Sequence, residues 1–361
     1  MRVLLTGIIA GLDDRRYIDT IVEMAQIDNL KVDIFNLIDA VEGSEKRLHR
    51  MLGTTDSLFV LTREKEYANI GMSLMESQSK NAIIRVPATM MWRGINLKLK
   101  DHEIIEKYIR PDVIVTLIDA EWSIEKRLGA IDPGTRDGFT RQLLEDGFTC
   151  RDILSWMNEE VSLSEDWARH LGIRHYVVPM SQHPLSVYKL VRHPDVKSFY
   201  VSYSMTHTHS DTTIRHQIND TIKELCEYGL VIDPQSIEIP NYEDITADDM
   251  RAAFAYTVHR DLHWFVNKVD AVVAIHPYLD RPPLSTGMMD ELGHARDYMK
   301  SRYMIFPPAH VSPFTSNSYI EPHHIFQDAA AFFHTLESEG FSKLEFSPGV
   351  CDVEWAANPL S

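Results

Sequence analysis

Three stretches of the sequence gather residue types able to do chemistry. The first runs Ser285, Thr286, Gly287, Met288, Met289, Asp290, Glu291, Leu292, Gly293, His294. It reads as a Ser/Gly-rich loop turning into a helix, with Glu291 in the first turn. Such a start leaves backbone amides free at the positive end of the helix dipole, which suits an anion. On the same residues a plainer account also stands: Ser285 as a simple N-cap and Glu291 as a carboxylate favoured by the dipole. The second stretch is His259, Arg260, Asp261, Leu262, His263, Trp264, followed by Val269, Asp270 and the apolar run Ala271–Ala274. Asp270 falls at a helix-to-strand corner, and Arg260 with Asp261 reads as a structural pair beneath a site. His259 and His263 have the i, i+4 spacing that sets two imidazoles on one helix face. The sequence commits no third ligand, so no metal is expected. The third stretch is Tyr200, Val201, Ser202, Tyr203, Ser204, Met205. The nearby tract from His207 to Asp211 reads as a polar loop over the site.

The elements that must position these residues follow from periodicity. Short apolar runs at 2–6, 32–37, 82–87, 113–118 and 175–178 read as strands, and helical spacing fills about 14–27, 57–79, 123–128 and 139–171. A second series begins near Lys197. Strands are predicted at 198–202, 230–233, 271–275 and 303–306, with helices at 214–228, 248–268 and 289–299. Gly229 is read as the C-cap of the helix before it. Strands alternating with helices predict α/β architecture with mainly parallel sheets in two three-layer domains. Two His-Pro pairs in His183–Val196 argue against a continuous helix there, which sets a boundary at about residue 195. The expected organisation is 1–195, 196–340, and an extended tail over 341–361.

Composition narrows the function classes. The chain has 361 residues, 44% hydrophobic and 25% charged, an ordinary soluble mix. With 36 Lys and Arg against 53 Asp and Glu, the net charge of −17 argues against a nucleic-acid polymer as partner. A small anionic ligand stays open, because a local pocket can oppose the global field. Cys150, Cys226 and Cys351 are isolated, so neither a disulfide framework nor a thiolate zinc site is expected. The opening residues read as a strand rather than a signal peptide, and no run approaches the ~20 apolar residues of a membrane span. A cytoplasmic setting without membrane contact is expected.

The second half resembles the nucleoside 2-deoxyribosyltransferases and the related deoxynucleoside 5′-monophosphate N-glycosidases over about Ser198–Pro308. The likeness rests on Tyr200–Met205 against Y-x-x-G-S-I, on Arg260–Trp264 and Val269–Ala274 against R-D-L-x-W and A-D-V-V-V-A, and on Ser285, Gly287, Glu291, Leu292 and Gly293 against S-x-G-x-x-x-E-L-G. The resemblance implies a Rossmann- or flavodoxin-like fold and cleavage of an N-glycosidic bond in a nucleoside or (deoxy)nucleoside 5′-monophosphate. It makes Glu291 the nucleophile that forms a glycosyl-enzyme and Asp270 the group that helps the base leave. Tyr200, Ser202, Ser204, Met205, Ser285, Gly287 and Met288 become substrate contacts, with no cofactor and no metal. Water as acceptor gives hydrolysis, and a second base gives transfer. Tyr203 stands where the family has Gly, and Met289 and Asp290 depart from the usual residues before the Glu. Other functions compatible with the same residues are a non-catalytic nucleotide-binding or regulatory protein and an NAD glycohydrolase. Relatives that complete their sites across subunits imply a homo-oligomer, with Ser312–Tyr319 as a neighbour's contact.

The first half carries a weaker likeness to the adenylate-kinase branch of P-loop nucleotide kinases. Gly7 follows the first strand, but Gly11 comes one residue early and no Lys-Ser/Thr pair follows. Arg85, Arg93 and Arg127 are the candidate phosphate contacts. The expectation is a kinase-like domain without ATP chemistry.

Overall fold

The computed structural model describes residues 1–8, 14–37, 56–77, 79–92, 95–99, 101–130, 148–205, 211–237, 247–277, 284–307 and 311–355. The chain divides into two compact units. One comprises Met1–Pro194, Ile239–Phe254 and Ser347–Ser361, and the other Asp195–Glu238 and Ala255–Phe346. Both are α/β units built on a five-stranded parallel sheet.

In the first unit, β1 (Arg2–Gly7), β2 (Val32–Asn36), β3 (Asn81–Arg85), β6 (Val113–Ile118) and β7 (Arg174–Pro179) form the sheet in the order β2-β3-β1-β6-β7. A separate antiparallel pair, β4 (Thr89–Trp92) and β5 (Ile95–Lys98), follows β3. The VIVTLI run of β6 is buried at every position, as the centre of a helix-covered parallel sheet requires. The connecting helices are α1 (Asp14–Ile27), α2 (Asp56–Glu76), α3 (His102–Tyr108), α4 (Glu121–Ala130), α5 (Cys150–Leu171) and α6 (Leu185–Arg192). Helix α5 starts on a capping box between Thr149 and Asp152 and stops at Gly172, which takes the left-handed φ of 66°. Its predicted start at 139 lies among residues outside those described.

Helix α6 corrects the sequence reading of 183–196. The two His-Pro pairs bracket a helix instead of preventing one: Pro184 sits at its N-cap and His193 at its C-cap. A proline lacks only a donor that the first turn does not use. The segment Ser347–Trp355 returns to this unit. The Asp28 carboxylate accepts hydrogen bonds from Tyr188 (2.7 Å), Arg192 (2.9 Å) and the Ser347 amide (2.9 Å). His183 binds the Val353 carbonyl at 2.7 Å, and Trp355 packs edge-on against Tyr17.

In the second unit, β8 (Lys197–Ser202), β9 (Gly229–Ile232), β10 (Ala271–Ile275), β11 (Ser301–Ile305) and β12 (Ile325–Phe326) lie in the order β12-β11-β10-β8-β9. Alternation in β8 sends Phe199 and Val201 into an apolar core shared with Ile218 and Leu225 of α7 (Thr212–Leu225) and Phe332 of α10 (Ala329–Ser338). Tyr200 and Ser202 point to the opposite face. Gly229 is not a helix cap: α7 ends at Leu225 and Gly229 opens β9. A Cβ there would sit 2.4 Å from the Lys197 carbonyl oxygen and 2.6 Å from the Phe199 ring, so only glycine lets the strands approach.

Helix α8 (Ala247–His259) runs into a π-helical turn, Arg260–Val266, and the Thr286–Asp297 helix is α9. No helix among the described residues is long and apolar enough to cross a membrane.

Candidate functional site

Glu291 is the centre of a buried polar cluster in the second unit. Ser285 caps α9, its hydroxyl accepting from the Met288 amide at 3.2 Å. Glu291 therefore lies in the second helical turn, not the first as the sequence suggested. It stands four residues after Gly287 and so shares its helix face. One carboxylate oxygen accepts from the Tyr200 hydroxyl at 2.6 Å, and the other accepts a short hydrogen bond from Ser202. Both donors come from one face of β8 and are fully buried.

The second carboxylate at this site is Asp261. Burial, then the charge of Asp261, push the Glu291 carboxyl up to about 8, while the Ser202 and Tyr200 hydrogen bonds oppose the rise. Asp261 is itself raised by burial, against the pull of Arg260, whose Nε donates to it at 2.9 Å. Burial lifts the Tyr200 phenol well above its ordinary value, with the Glu291 and Asp261 charges adding to it. The π-helical turn buries Arg260 and Asp261 together with Trp264 and Phe265, and such turns recur at functional sites. Arg260 Nη2 is buried without a hydrogen-bond partner among the described residues. A guanidinium N–H left in that state is a donor awaiting an acceptor.

Asp270 is not part of this cluster. It lies at the other end of the sheet, where its Oδ2 accepts from the Ser198 amide and hydroxyl, each at 2.9 Å. The register pairs Ala271 with Phe199 and Ala274 with Ser202. Four steps of ~3.3 Å separate the Ser198 and Ser202 levels, about 13 Å. Asp270 thus locks a strand start, at the end of the sheet away from the Glu291 carboxylate. Asp261 lies in the R-D-L-x-W stretch, nine residues before Asp270. The signal that would have picked it out is burial of two adjacent charged residues, which spacing alone does not reveal.

The remaining candidates of the second unit lie on two elements, the end of β8 and the start of α9. Ser204, buried, and Met205, packed on the core, continue from the C-terminal end of β8. Gly287 is exposed, and a Cβ there would meet nothing within 4 Å, whereas Met288 is buried. Tyr203 donates to Asp233 at 2.8 Å, beyond the end of β9. His259, His263 and His294 form a row of rings with centroids 4.8 and 5.0 Å apart. In the first unit Arg127 pairs with Asp119 at 2.6 Å, and Arg93 and Gly11 lie outside the described residues. The His207–His209 tract does too.

The cluster can deliver one oriented carboxylate, a neighbouring acid and a mobile proton on Tyr200 or Ser202. It stands at the C-terminal strand ends of an open parallel sheet, the usual ligand edge of such folds. Neither a model of a known protein family nor a curated protein matches the chain.

Proposed function

We propose that the second unit is a deoxyribosyltransferase-like domain that cleaves or exchanges the N-glycosidic bond of a nucleoside or (deoxy)nucleoside 5′-monophosphate. The observation that carries this reading is the Glu291 carboxylate, clamped by Tyr200 and Ser202 on both oxygens beside Asp261. Two hydroxyl donors orient the carboxylate for attack on C1′. The glycosidic bond breaks as the Glu291–C1′ bond forms, and its electron pair leaves with the base. Asp261, raised by burial, supplies the proton that the departing base takes up. Water, or a second base, then attacks C1′, gives its proton to the Asp261 carboxylate and returns the Glu291 carboxylate. Arg260 Nη2 offers a hydrogen bond to an acceptor on the substrate. The first unit is proposed as a kinase-like domain without ATP chemistry, in line with its strand order and its missing Lys-Ser/Thr pair.

The test is incubation of the full chain with nucleosides, NMPs, dNMPs and NAD. Free base is expected from at least one of them, and its release is lost in Glu291→Ala. Release unchanged by that substitution sinks the reading, and cleavage of NAD alone points to a glycohydrolase. A second reading, nucleotide binding without turnover, is favoured by one observation: a carboxyl pushed up to about 8 is mostly protonated at neutral pH. It predicts saturable nucleotide binding with no base released at any pH.

A further inference from the structure

The C-terminal edge of the first sheet holds a buried glutamate that neither half of the proposed function uses. Glu160, on α5, is 1% exposed. Its Oε1 accepts from the Gly7 amide at 2.9 Å and the Ala88 amide at 2.8 Å. Its Oε2 accepts from the Thr89 amide at 2.7 Å and the Thr89 hydroxyl at 2.6 Å. The direction of the last bond is fixed by a neighbour. Trp156 Nε1 can only donate, and it donates to Thr89 Oγ1 at 2.9 Å, so the threonine proton goes to Glu160. Among the described residues, every group hydrogen-bonded to the carboxylate is therefore a donor, and three of the four are main-chain amides. They come from the end of β1 and from the segment that follows β3, two adjacent strands of a parallel sheet.

That is the arrangement by which open α/β folds hold an anion, typically a phosphate, beyond their strand ends. Here the anion belongs to the chain. We propose that Glu160 is a built-in anion that fills a phosphate-type cradle made by Gly7, Ala88 and Thr89, so that these amides take no phosphoryl group from a nucleotide. The inference concerns the first unit alone and is independent of the role of Glu291. It gives the loss of ATP chemistry a second cause besides the missing Lys-Ser/Thr pair: the amides are already satisfied.

The experiment uses the full chain, as wild type, Glu160→Ala and Glu160→Gln, with formate, inorganic phosphate and pyrophosphate as probes and chloride at matched ionic strength as control. Thermal midpoints and amide hydrogen exchange at Ala88 and Thr89 are followed. The wild type is expected to show slow exchange at both amides and no anion-specific change. Glu160→Ala is expected to melt lower and exchange faster at both. Formate or phosphate should raise its midpoint saturably and restore protection at those two amides. Additional protection of Ala88 and Thr89 in the wild type by phosphate or pyrophosphate overturns the proposal, as does a folded Glu160→Ala that responds to no anion. If Glu160→Ala does not fold, Glu160→Gln decides. Its side-chain NH2 must face an N–H donor, so a midpoint drop of about 5 °C or more is expected. A midpoint equal to wild type overturns the proposal.

Discussion

Glu160 and Glu291 occupy comparable places: each is a helix glutamate brought to strand ends of a parallel sheet. Their donors differ. Glu160 meets three main-chain amides and one hydroxyl whose proton is directed by Trp156. Glu291 meets two side-chain hydroxyls and the charge of a second acid. Main-chain amides are fixed by the sheet and cannot give up their protons. Hydroxyls rotate, accept as well as donate, and are replaceable by a substrate. One carboxylate is thereby held in place and the other is kept available, while burial raises the pKa of both.

The largest expected effect tests the available one. Glu291→Ala should lower base release by at least about 10³-fold while leaving the fold intact, measured as single-turnover rates alongside circular dichroism. A stability comparison comes next. Glu160→Ala should lose about 3 kcal/mol by leaving amide donors buried without an acceptor, measured by denaturant unfolding. Glu291→Gln should behave oppositely. Folding raises this carboxyl from its ordinary 4.5 to about 8, so the folded state favours the protonated form. The associated stability is fully present below about 4.5 and is lost as pH rises to about 8. The glutamine variant, which does not titrate, should therefore match wild type near pH 4 and exceed it near pH 9. Equal stability at both pH values would remove the contrast between the two glutamates.

Asp261→Asn tests the neighbour. Asn cannot supply the proton that the base takes up, so base release should fall by about 10²-fold. Without the Asp261 charge, the rising limb of kcat/KM should move to lower pH. An unmoved limb would show that burial alone sets Glu291. The smallest effect on catalysis is expected at the opposite strand ends. Asp270→Asn should leave base release within about twofold of wild type and cost about 1 kcal/mol through its weakened bonds to Ser198. A large loss of activity there would restore Asp270 to the chemistry.

The sequence made the centres of both sheets legible, because VIVTLI at 113–118 and AVVAI at 271–275 are uninterrupted apolar runs with no polar face. Motif order named Glu291, Tyr200 and Ser202 together, but as nucleophile and substrate contacts; that the two hydroxyls bind the Glu291 carboxylate became visible only in the fold. What failed depended on longer-range geometry. Asp270 and Asp261 are separated in sequence by nine positions, yet the π-helical turn and the strand direction send them to different places. The helix at 185–192 was hidden because the prolines that argued against it lie just outside it. Gly229 was misassigned because its need is a close neighbour across the sheet, not a backbone angle. Glu160 left no signature at all, since its partners are mostly amides that any residue carries.

The bond between Ser347 and Asp28 spans 319 residues of sequence. During synthesis, α1 and α6 emerge long before the segment that covers them, and the whole second unit is made in between. Val350, fully buried, and Val353, nearly so, can reach their places only then. The first unit is thus the first to be translated and the last to be completed, and contacts of such separation form late and slowly. Until that segment arrives, the apolar surface that will receive it stays exposed to solvent.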